Sequence, residues 1–305
     1  MTRIVVGVEG SARSEDAVAF ARGIAQASGA QITLACAYPY EDQPSRATKG
    51  EYRDFVRSEA QATLDRMKEG LEGVENVATS AIADLSPARA LQELAERDSA
   101  ALLVLGSTHR GAFGRVVAGT TAERLLHGAP CPVVVVPVGF RTHADAPIKS
   151  IAVGHDGSEE ADAALSAAVM TSQALGAALL VVHVSSTSDG TPGLVSGQGS
   201  VAPPGRFQRF ARESLEKAVA GTPEDVEAEP VFITGDPVTE LVDQSKRVDL
   251  LFLGSRGYGP HLAVLAGSVS GALVRKAECP VVVVPRGVEA TLEPLFGAQS
   301  AEVAT

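Results

Sequence analysis

The sequence predicts an α/β protein built from two doubly wound domains, each with a five-stranded parallel sheet and helices on both faces. Three observations lead to this fold class. The chain has 305 residues, about twice the length of an ordinary domain. Its two halves repeat one another. Within each half, short apolar runs alternate with longer stretches of helical periodicity, which is typical of parallel sheets.

The repeat is clearest near the end of each half. Leu102–Pro137 aligns without a gap to Leu250–Pro285, at an offset of 148 residues, and 18 of the 36 positions are identical. The starts also match, because Arg3–Ser11 faces Ser150–Ser158 at an offset of 147 residues. A period this long indicates a duplicated domain, since solenoid units span roughly 20–50 residues.

The repeat sets the expected domain boundaries. We expect one domain at residues 1–140 and a second at residues 148–287. A short polar link, Val138–Pro147, joins them, and residues 288–305 form an expected flexible tail.

Each half contains five candidate strands, which are short runs rich in β-branched residues. They are residues 3–8, 31–37, 74–81, 101–105 and 132–136, then 149–154, 178–184, 226–233, 249–253 and 280–284. Four candidate helices lie between the strands of each half. They are residues 11–28, 51–69, 87–97 and a stretch after Gly119, then 158–175, 207–220, 237–247 and a stretch after Gly267. Hydroxyl or acidic residues open the first helix of each half, and proline opens the third, where its missing N–H costs nothing.

The last strand of each half is an unbroken valine run between prolines, Cys131–Pro137 and Cys279–Pro285. Four valines in a row indicate burial on both faces of a sheet, whereas the flanking prolines favour an edge strand. An apolar edge must be covered to prevent aggregation. We therefore predict that the two valine strands cover each other and make a pseudo-dimer within one chain. The alternative is that each strand is covered without any pairing of the two domains.

Composition excludes several function classes. The formal net charge is −11 and aromatic residues make up only 4%, which argues against nucleic-acid binding by phosphate contacts or base stacking. No apolar run reaches the ~18 residues that a membrane span needs, so no membrane association is expected. Cys36, Cys131 and Cys279 form no CxxC pair, which predicts neither a disulfide framework nor a zinc site. These features favour a cytoplasmic protein.

The second half carries a pattern of glycines and hydroxyls suited to phosphates. Gly254 ends the fourth strand, Gly257 follows, and Gly267 and Ser268 stand where the next helix begins, with Ser270 just beyond. Glycine lets the backbone approach a ligand, and a helix N-terminus offers N–H donors and a positive dipole end. Taken singly, these residues could equally make a turn and a helix cap.

The spacing of these residues resembles the nucleotide-binding motif of the universal stress protein family, Gly-x2-Gly-x9-Gly-(Ser/Thr). Gly254, Gly257, Gly267 and Ser268 match it fully. The two-domain arrangement is similar to the tandem members of that family. The resemblance implies an adenine nucleotide alpha hydrolase-like fold with strand order 3-2-1-4-5. It also implies ATP at the carboxyl ends of the first and fourth strands, with Mg²⁺ or Mn²⁺ on the phosphates, and a homodimer.

The resemblance carries over to individual residues of the second half. Asp156 occupies the place of a family acid that contacts the ribose or the adenine amine. Val184 ends the second strand, where the family contacts adenine. The implied binding residues of this half are Gly154, His155, Asp156, Val184, Gly254, Gly257, Gly267, Ser268, Val269 and Ser270. For His155, an ordinary loop histidine is the alternative.

The first half departs from the motif. Its counterparts are Gly7, Val8, Glu9, Ala37, Gly106, His109, Gly119, Thr120 and Thr121. His109 replaces the second glycine, and its β-carbon restricts positive φ and crowds the phosphates. Glu9 is longer than aspartate, and Ala37 is smaller than Val184. We expect this site to be weaker, altered in preference or empty.

Three functions remain open at this point. The first is an ATP-binding regulatory protein that acts in the stress response through protein partners not yet identified. The second is a slow ATPase or a phosphoryl or nucleotidyl transfer enzyme, although the chain has no P-loop lysine and no catalytic residue is assigned. The third is an interaction dimer that binds no nucleotide.

Overall fold

The computed structural model describes residues 2–40, 49–107, 121–126, 128–186, 206–255, 269–288, 292 and 295. The first half comprises β1 (Arg3–Gly7), α1 (Ala12–Ser28), β2 (Gln31–Tyr38), α2 (Lys49–Glu69), β3 (Val77–Ala83), α3 (Pro87–Arg97), β4 (Leu102–Gly106), α4 (Thr121–Leu125) and β5 (Val133–Val136). After a 3₁₀ turn at Phe140–Thr142, the second half comprises β6 (Ser150–Gly154), α5 (Glu159–Leu175), β7 (Ala178–Ser185), α6 (Arg206–Ala220), β8 (Ala228–Thr234), α7 (Pro237–Ser245), β9 (Leu250–Gly254), α8 (Val269–Lys276) and β10 (Val281–Val284).

All ten strands form one sheet in the order β3-β2-β1-β4-β5-β10-β9-β6-β7-β8. Within each half the strands are parallel, and each half has the order 3-2-1-4-5 when its strands are numbered separately. The second half repeats the same pairings. This confirms the predicted α/β fold with a mostly parallel sheet.

The two halves join through their valine strands. β5 and β10 pair antiparallel, with Val134 opposite Val282. All eight valines of the two strands are at most 2% exposed. The predicted pairing of the two halves is therefore confirmed. Because the pairing is antiparallel, the carboxyl ends of the parallel strands of one half lie at the opposite sheet edge from those of the other half.

Two buried clusters cover the two faces of the sheet. One contains side chains of α1, α2, α5 and α6, and the other contains side chains of α3, α4, α7 and α8. Neighbouring strand residues alternate between them, so that Ile4 and Val6 belong to the first cluster and Val5 to the second. Each cluster includes residues of both halves, so the core is continuous across the junction.

The third strand begins later than its sequence pattern suggested. We predicted residues 74–81, whereas β3 spans Val77–Ala83. The reason is a turn that ends α2, in which the Val74 N–H donates to the Leu71 carbonyl at 3.1 Å and Gly73 adopts φ +84°. Such a turn is not extended backbone and cannot join the sheet.

The link between the halves is fastened to α1 by a buried carboxylate. Asp16 is 0% exposed, and its two oxygens accept hydrogen bonds from the Gly139 N–H at 2.8 Å and the Arg141 N–H at 3.0 Å. The Phe140 ring meets Phe20 of α1 edge to face, with centroids 5.5 Å apart. The link is thus packed onto the first half.

Two residues of the expected tail lie in the core. Leu292 and Leu295 are 1% and 0% exposed and belong to the cluster that contains α1 and α5. Burying these two leucines removes apolar area from water and so favours the folded state. No helix in the described part of the chain has the length and apolar character that crossing a bilayer requires.

Removing the Asp16 carboxylate should destabilise the protein. We expect Asp16→Ala to lower the free energy of unfolding by about 1–3 kcal/mol, because two backbone N–H groups lose their acceptor. Asp145→Ala is the matched control, since Asp145 also ties the link to α1, but through an exposed pair with Arg22 at 3.1 Å. Urea denaturation of both variants is the measurement. Equal loss in the two variants would contradict the assigned role of Asp16.

Candidate functional site

A cavity of about 470 Å³ lies at the carboxyl ends of β6, β7 and β9. The chain passes from β6 to β7 on one side and from β9 to β10 on the other. The space at the ends of β6 and β9 is therefore a switch point, the usual ligand position in open α/β sheets. Its volume lies within the range of small-molecule sites. Val182, Val184, Leu241 and Leu253 form apolar walls, while carboxylates and hydroxyls line other parts.

The structure brings together most of the residues predicted for the second half. The cavity is lined by Gly154, His155, Asp156, Val184, Gly254, Val269 and Ser270, among others. The three remaining predicted residues, Gly257, Gly267 and Ser268, lie outside the described residues. The described residues therefore converge from β6, β7, β9 and the start of α8.

Asp156 is positioned by the turn that opens α5. Its Oδ1 accepts hydrogen bonds from the Ser158 N–H at 3.1 Å and from the Ser158 hydroxyl at 2.5 Å. The same hydroxyl accepts from the Ala161 N–H and caps the helix. These bonds fix the carboxylate at the cavity rim, where Asp156 is exposed to solvent.

His155 lines the cavity, but its ring is engaged inside the protein. The side chain is 3% exposed, and Nε2 lies 2.8 Å from the Asp162 carboxylate. A carboxylate only accepts, so Nε2 carries the proton. This arrangement agrees with the loop-histidine alternative, because one ring nitrogen is already used to hold α5.

Sequence reasoning missed His183, which lines the same cavity next to Val184. Its Nδ1 donates to the His155 carbonyl at 2.9 Å, and its ring stacks on Phe232 with centroids 5.4 Å apart. The Arg212 guanidinium lies over the Phe232 ring, 3.9 Å from its centroid. The sequence did not single out His183, because the residues that contact it come from elements distant in the sequence.

A second missed group is Glu160, in the first turn of α5. Glu160 lines the cavity, and its carboxylate pairs with Arg286, with 3.3 Å between Oε1 and Nε. The side chain of Glu160 is 14% exposed, so this pair is partly screened from solvent. The arginine offsets a negative charge that would otherwise oppose an anionic ligand.

Gly254 is required by packing inside the protein. A β-carbon on Gly254 would lie 2.3 Å from the Glu160 carbonyl oxygen, and one on Gly106 would lie 2.2 Å from the Arg13 carbonyl oxygen. Each glycine thus lets the first turn of α5 or α1 rest against the end of a strand. From the sequence, we expected Gly254 to allow the close approach of a ligand. The structure gives a second reason for glycine, because it also lets α5 pack against the end of β9.

The predicted residues of the first half that the structure describes stand at or near the ends of β1, β2 and β4 and at the start of α4, but their polar contacts differ from those of the second half. Glu9 pairs with Arg13 at 3.0 Å and accepts from the Ser11 hydroxyl at 3.0 Å. Burial and the charge of Glu9 raise the pKa of the Cys36 thiol. Among the other predicted residues, Gly7, Val8, Ala37, Gly106 and Thr121 are described, whereas His109, Gly119 and Thr120 lie outside the described residues.

Metal ligands and reactive thiols are not prominent in the described ranges. There, histidine, cysteine, aspartate and glutamate side chains do not form groups of three that could hold a metal ion. Burial raises the pKa of Cys131 and of Cys279 to about 12, so both remain thiols at neutral pH.

The fold and the cavity define a tandem, doubly wound α/β protein with a small-molecule cavity at the switch point of its second half. Comparison with known proteins gives the family. The model of the universal stress protein family matches residues 1–137 and 147–285. The chain belongs to the universal stress protein family.

Relatives of similar length share this organisation. The universal stress protein Rv2005c of Mycobacterium tuberculosis is 28% identical over 294 residues, which cover 92% of this chain and 96% of the relative. A universal stress protein of Mycolicibacterium smegmatis is 30% identical over 298 residues, with the same two shares. The crystal structure of a universal stress protein from Archaeoglobus fulgidus is 20% identical, with a TM-score of 0.67, and covers 93% of this chain and 98% of that chain.

Placing a methyl group at Gly254 should destabilise the second half. We expect Gly254→Ala to lower the free energy of unfolding by about 1–3 kcal/mol, because two backbone segments must separate. Gly221→Ala is the control, since a β-carbon there would meet its nearest atoms at an ordinary 3.5 Å. Thermal unfolding of both variants without added nucleotide tests this, and an unchanged Tm for Gly254→Ala would show that the helix is not held against the strand.

Proposed function

We propose that this protein is an ATP-binding regulatory protein of the stress response, with its main nucleotide site in the second half. The observation that carries the proposal is the cavity at the ends of β6, β7 and β9. It gathers an exposed carboxylate, apolar walls and the start of a helix around one volume of suitable size. The family motif, formed by Gly254, Gly257, Gly267 and Ser268, supports the same ligand.

The base and ribose fit the side of the cavity formed by β6 and β7. Val182, Val184 and Leu241 offer apolar surface for the flat faces of adenine. Asp156 can accept hydrogen bonds from ribose hydroxyls or from the adenine amine. The Ser158 contacts hold this carboxylate in place before the ligand arrives, which reduces the ordering cost of binding.

The phosphates fit the side formed by Gly254 and the start of α8. Val269 and Ser270 line the cavity at the first turn of this helix, where backbone N–H groups and the dipole favour an anion. Gly267 and Ser268 directly precede the helix in sequence, so we expect them to complete the contacts to the phosphates. In this proposal Mg²⁺ or Mn²⁺ binds the phosphate oxygens and reduces their mutual repulsion.

Binding itself performs the proposed function. A nucleotide that contacts both the β6 end and the start of α8 favours conformations in which these segments are close together. A partner protein that recognises this surface would then distinguish the occupied from the empty state.

The homodimer and the cytoplasmic location expected from the sequence belong to this proposal. Light scattering tests the dimer, which would have twice the chain mass of 31.4 kDa.

Mg-ATP should stabilise the purified protein. At 100 times its dissociation constant, a ligand that binds only the folded state adds about 2.7 kcal/mol to the free energy of unfolding. We expect a clear rise in Tm with Mg-ATP and a smaller one with cyclic AMP, which lacks the triphosphate. Release of nucleotide from denatured protein is the companion measurement. No shift with either nucleotide and no released nucleotide would favour the interaction dimer instead.

Loss of the Asp156 charge should weaken nucleotide binding. We expect Asp156→Asn to raise the Kd for ATP about 10-fold or more, because hydrogen bonds to a charged acceptor contribute about 1.5–3 kcal/mol. The amide oxygen can still accept from Ser158, so the turn should be kept. Glu9→Gln is the matched control in the first half and should change the Kd little. Calorimetric titration measures the Kd for ATP of both variants. An equal rise in Kd for the two substitutions would contradict the assignment of the main site to the second half.

The enzyme alternative predicts a different result. Transfer of a phosphoryl group needs several aligned cations and a positioned nucleophile. Sustained ATP turnover near the usual 1–10³ s⁻¹ would support an enzyme. We expect turnover far below that range.

A further inference from the structure

Two serines occupy equivalent positions directly after the fourth strand of each half. Ser107 follows β4 and Ser255 follows β9, and they are 4% and 2% exposed. The backbone N–H of Ser107 donates to the Val136 carbonyl at 2.7 Å, and that of Ser255 donates to the Val284 carbonyl at 2.9 Å. Each serine is therefore fixed to the last strand of its own half.

The side chains of both serines cross to the other half. The Ser255 hydroxyl donates to the Leu126 carbonyl at 2.7 Å, and the Ser107 hydroxyl donates to the Val274 carbonyl at 3.2 Å. The two donors are related by the repeat offset, and so are the two acceptors. The hydrogen bonds are thus reciprocal, as in a two-fold symmetric interface.

Both acceptors lie where a helix leaves carbonyl groups without an intrahelical partner. Leu126 directly follows α4, and Val274 lies in the last turn of α8. Each serine therefore satisfies the end of a helix in the opposite half. An ion pair adds to this contact, because Arg275 of α8 pairs with Glu123 of α4, and both side chains are largely buried.

The antiparallel junction explains why these groups meet. The carboxyl ends of the strands in one half lie at the same edge of the sheet as the amino ends of the strands in the other half. A helix that leads into the last strand ends at that edge. α4 therefore ends near the second-half cavity, while its first residue, Thr121, is itself one of the predicted binding residues of the first half.

Ser255 also stands at the entrance to the candidate phosphate loop. It is bonded to Gly254, which lines the cavity, and it begins the segment that leads to Gly257 and Gly267. A ligand in the cavity that contacts Gly254 therefore acts beside a residue that holds the end of α4. Two sites joined in this way influence each other's affinity reciprocally.

We propose that Ser255 and Ser107 are positioning residues that couple the two candidate nucleotide sites, each by holding the end of the opposite half's fourth helix. The proposal rests on the proposed function for its ligand, but the hydrogen bonds that carry it belong to the ligand-free protein. Occupancy of the second-half site then changes the stability of α4 through Ser255. Occupancy of the first-half site acts on α8 through Ser107.

Hydrogen exchange by mass spectrometry on the full chain tests this, with Ser255→Ala and Ser107→Ala as a matched pair. Without nucleotide, we expect Ser255→Ala to speed exchange at residues 121–126 about two- to tenfold, as loss of one ordinary hydrogen bond implies. Residues 269–276 should change little in that variant. Ser107→Ala should speed exchange at residues 269–276 and leave residues 121–126 little changed. Equal effects of both variants on both helices, or no effect on either, would overturn the proposal.

A second set of measurements adds Mg-ATP at saturation, as determined for each variant by calorimetry. We expect ATP to slow exchange at residues 121–126 in the parent and in Ser107→Ala, but not in Ser255→Ala. The same slowing in Ser255→Ala would overturn the coupling. If the parent binds no ATP, the proposed function fails, and the nucleotide-free comparison alone decides whether the serines hold the opposite helices.

Discussion

The structure depends on one pairing of strands, between β5 and β10. Each is a run of four buried valines flanked by proline, so each is too apolar to remain an open edge and too short to make a large interface alone. Their antiparallel pairing joins two five-stranded units into one sheet with a continuous core on each face. It also places the candidate site of each half near the end of the fourth helix of the other half, α4 or α8. The reciprocal serine contacts are possible only in this arrangement.

The two halves share one framework but use different polar groups on it. Asp16 holds the link to α1, whereas the aligned position in α5 is Ala163. Arg13 in the first half pairs with Glu9, whereas Glu160 takes its place in the second half and pairs with Arg286. Duplication therefore preserved the backbone while the charges around the two candidate sites diverged. Different charges at equivalent positions favour different ligands.

The sequence alone was sufficient for the fold class, because the repeat, the valine strands and the alternation of elements can be read directly from the order of the residues. It also located seven of the sixteen described residues that line the second-half cavity. Gly154, Asp156, Val184 and Gly254 were found because they stand at or near strand ends, which meet at one edge of a parallel sheet. His183 and Glu160 were missed because their roles depend on partners far away in sequence, Phe232 and Arg286. The burial of Leu292 and Leu295 was missed because a terminal segment carries no periodic pattern.

Gly254 illustrates why a glycine motif alone is a weak argument for a ligand. The close approach of the Glu160 carbonyl already requires glycine there, and Gly106 has the same constraint in the first half, where one motif position is histidine. Both glycines would be kept in a protein that bound nothing. A nucleotide site is better indicated by a group that also has polar surface available at the cavity, beyond any internal role. Asp156 is such a group, because its carboxylate is exposed at the cavity rim although a hydrogen-bonded turn holds it in place. An exposed carboxylate favours a ligand rich in hydroxyl and amino donors.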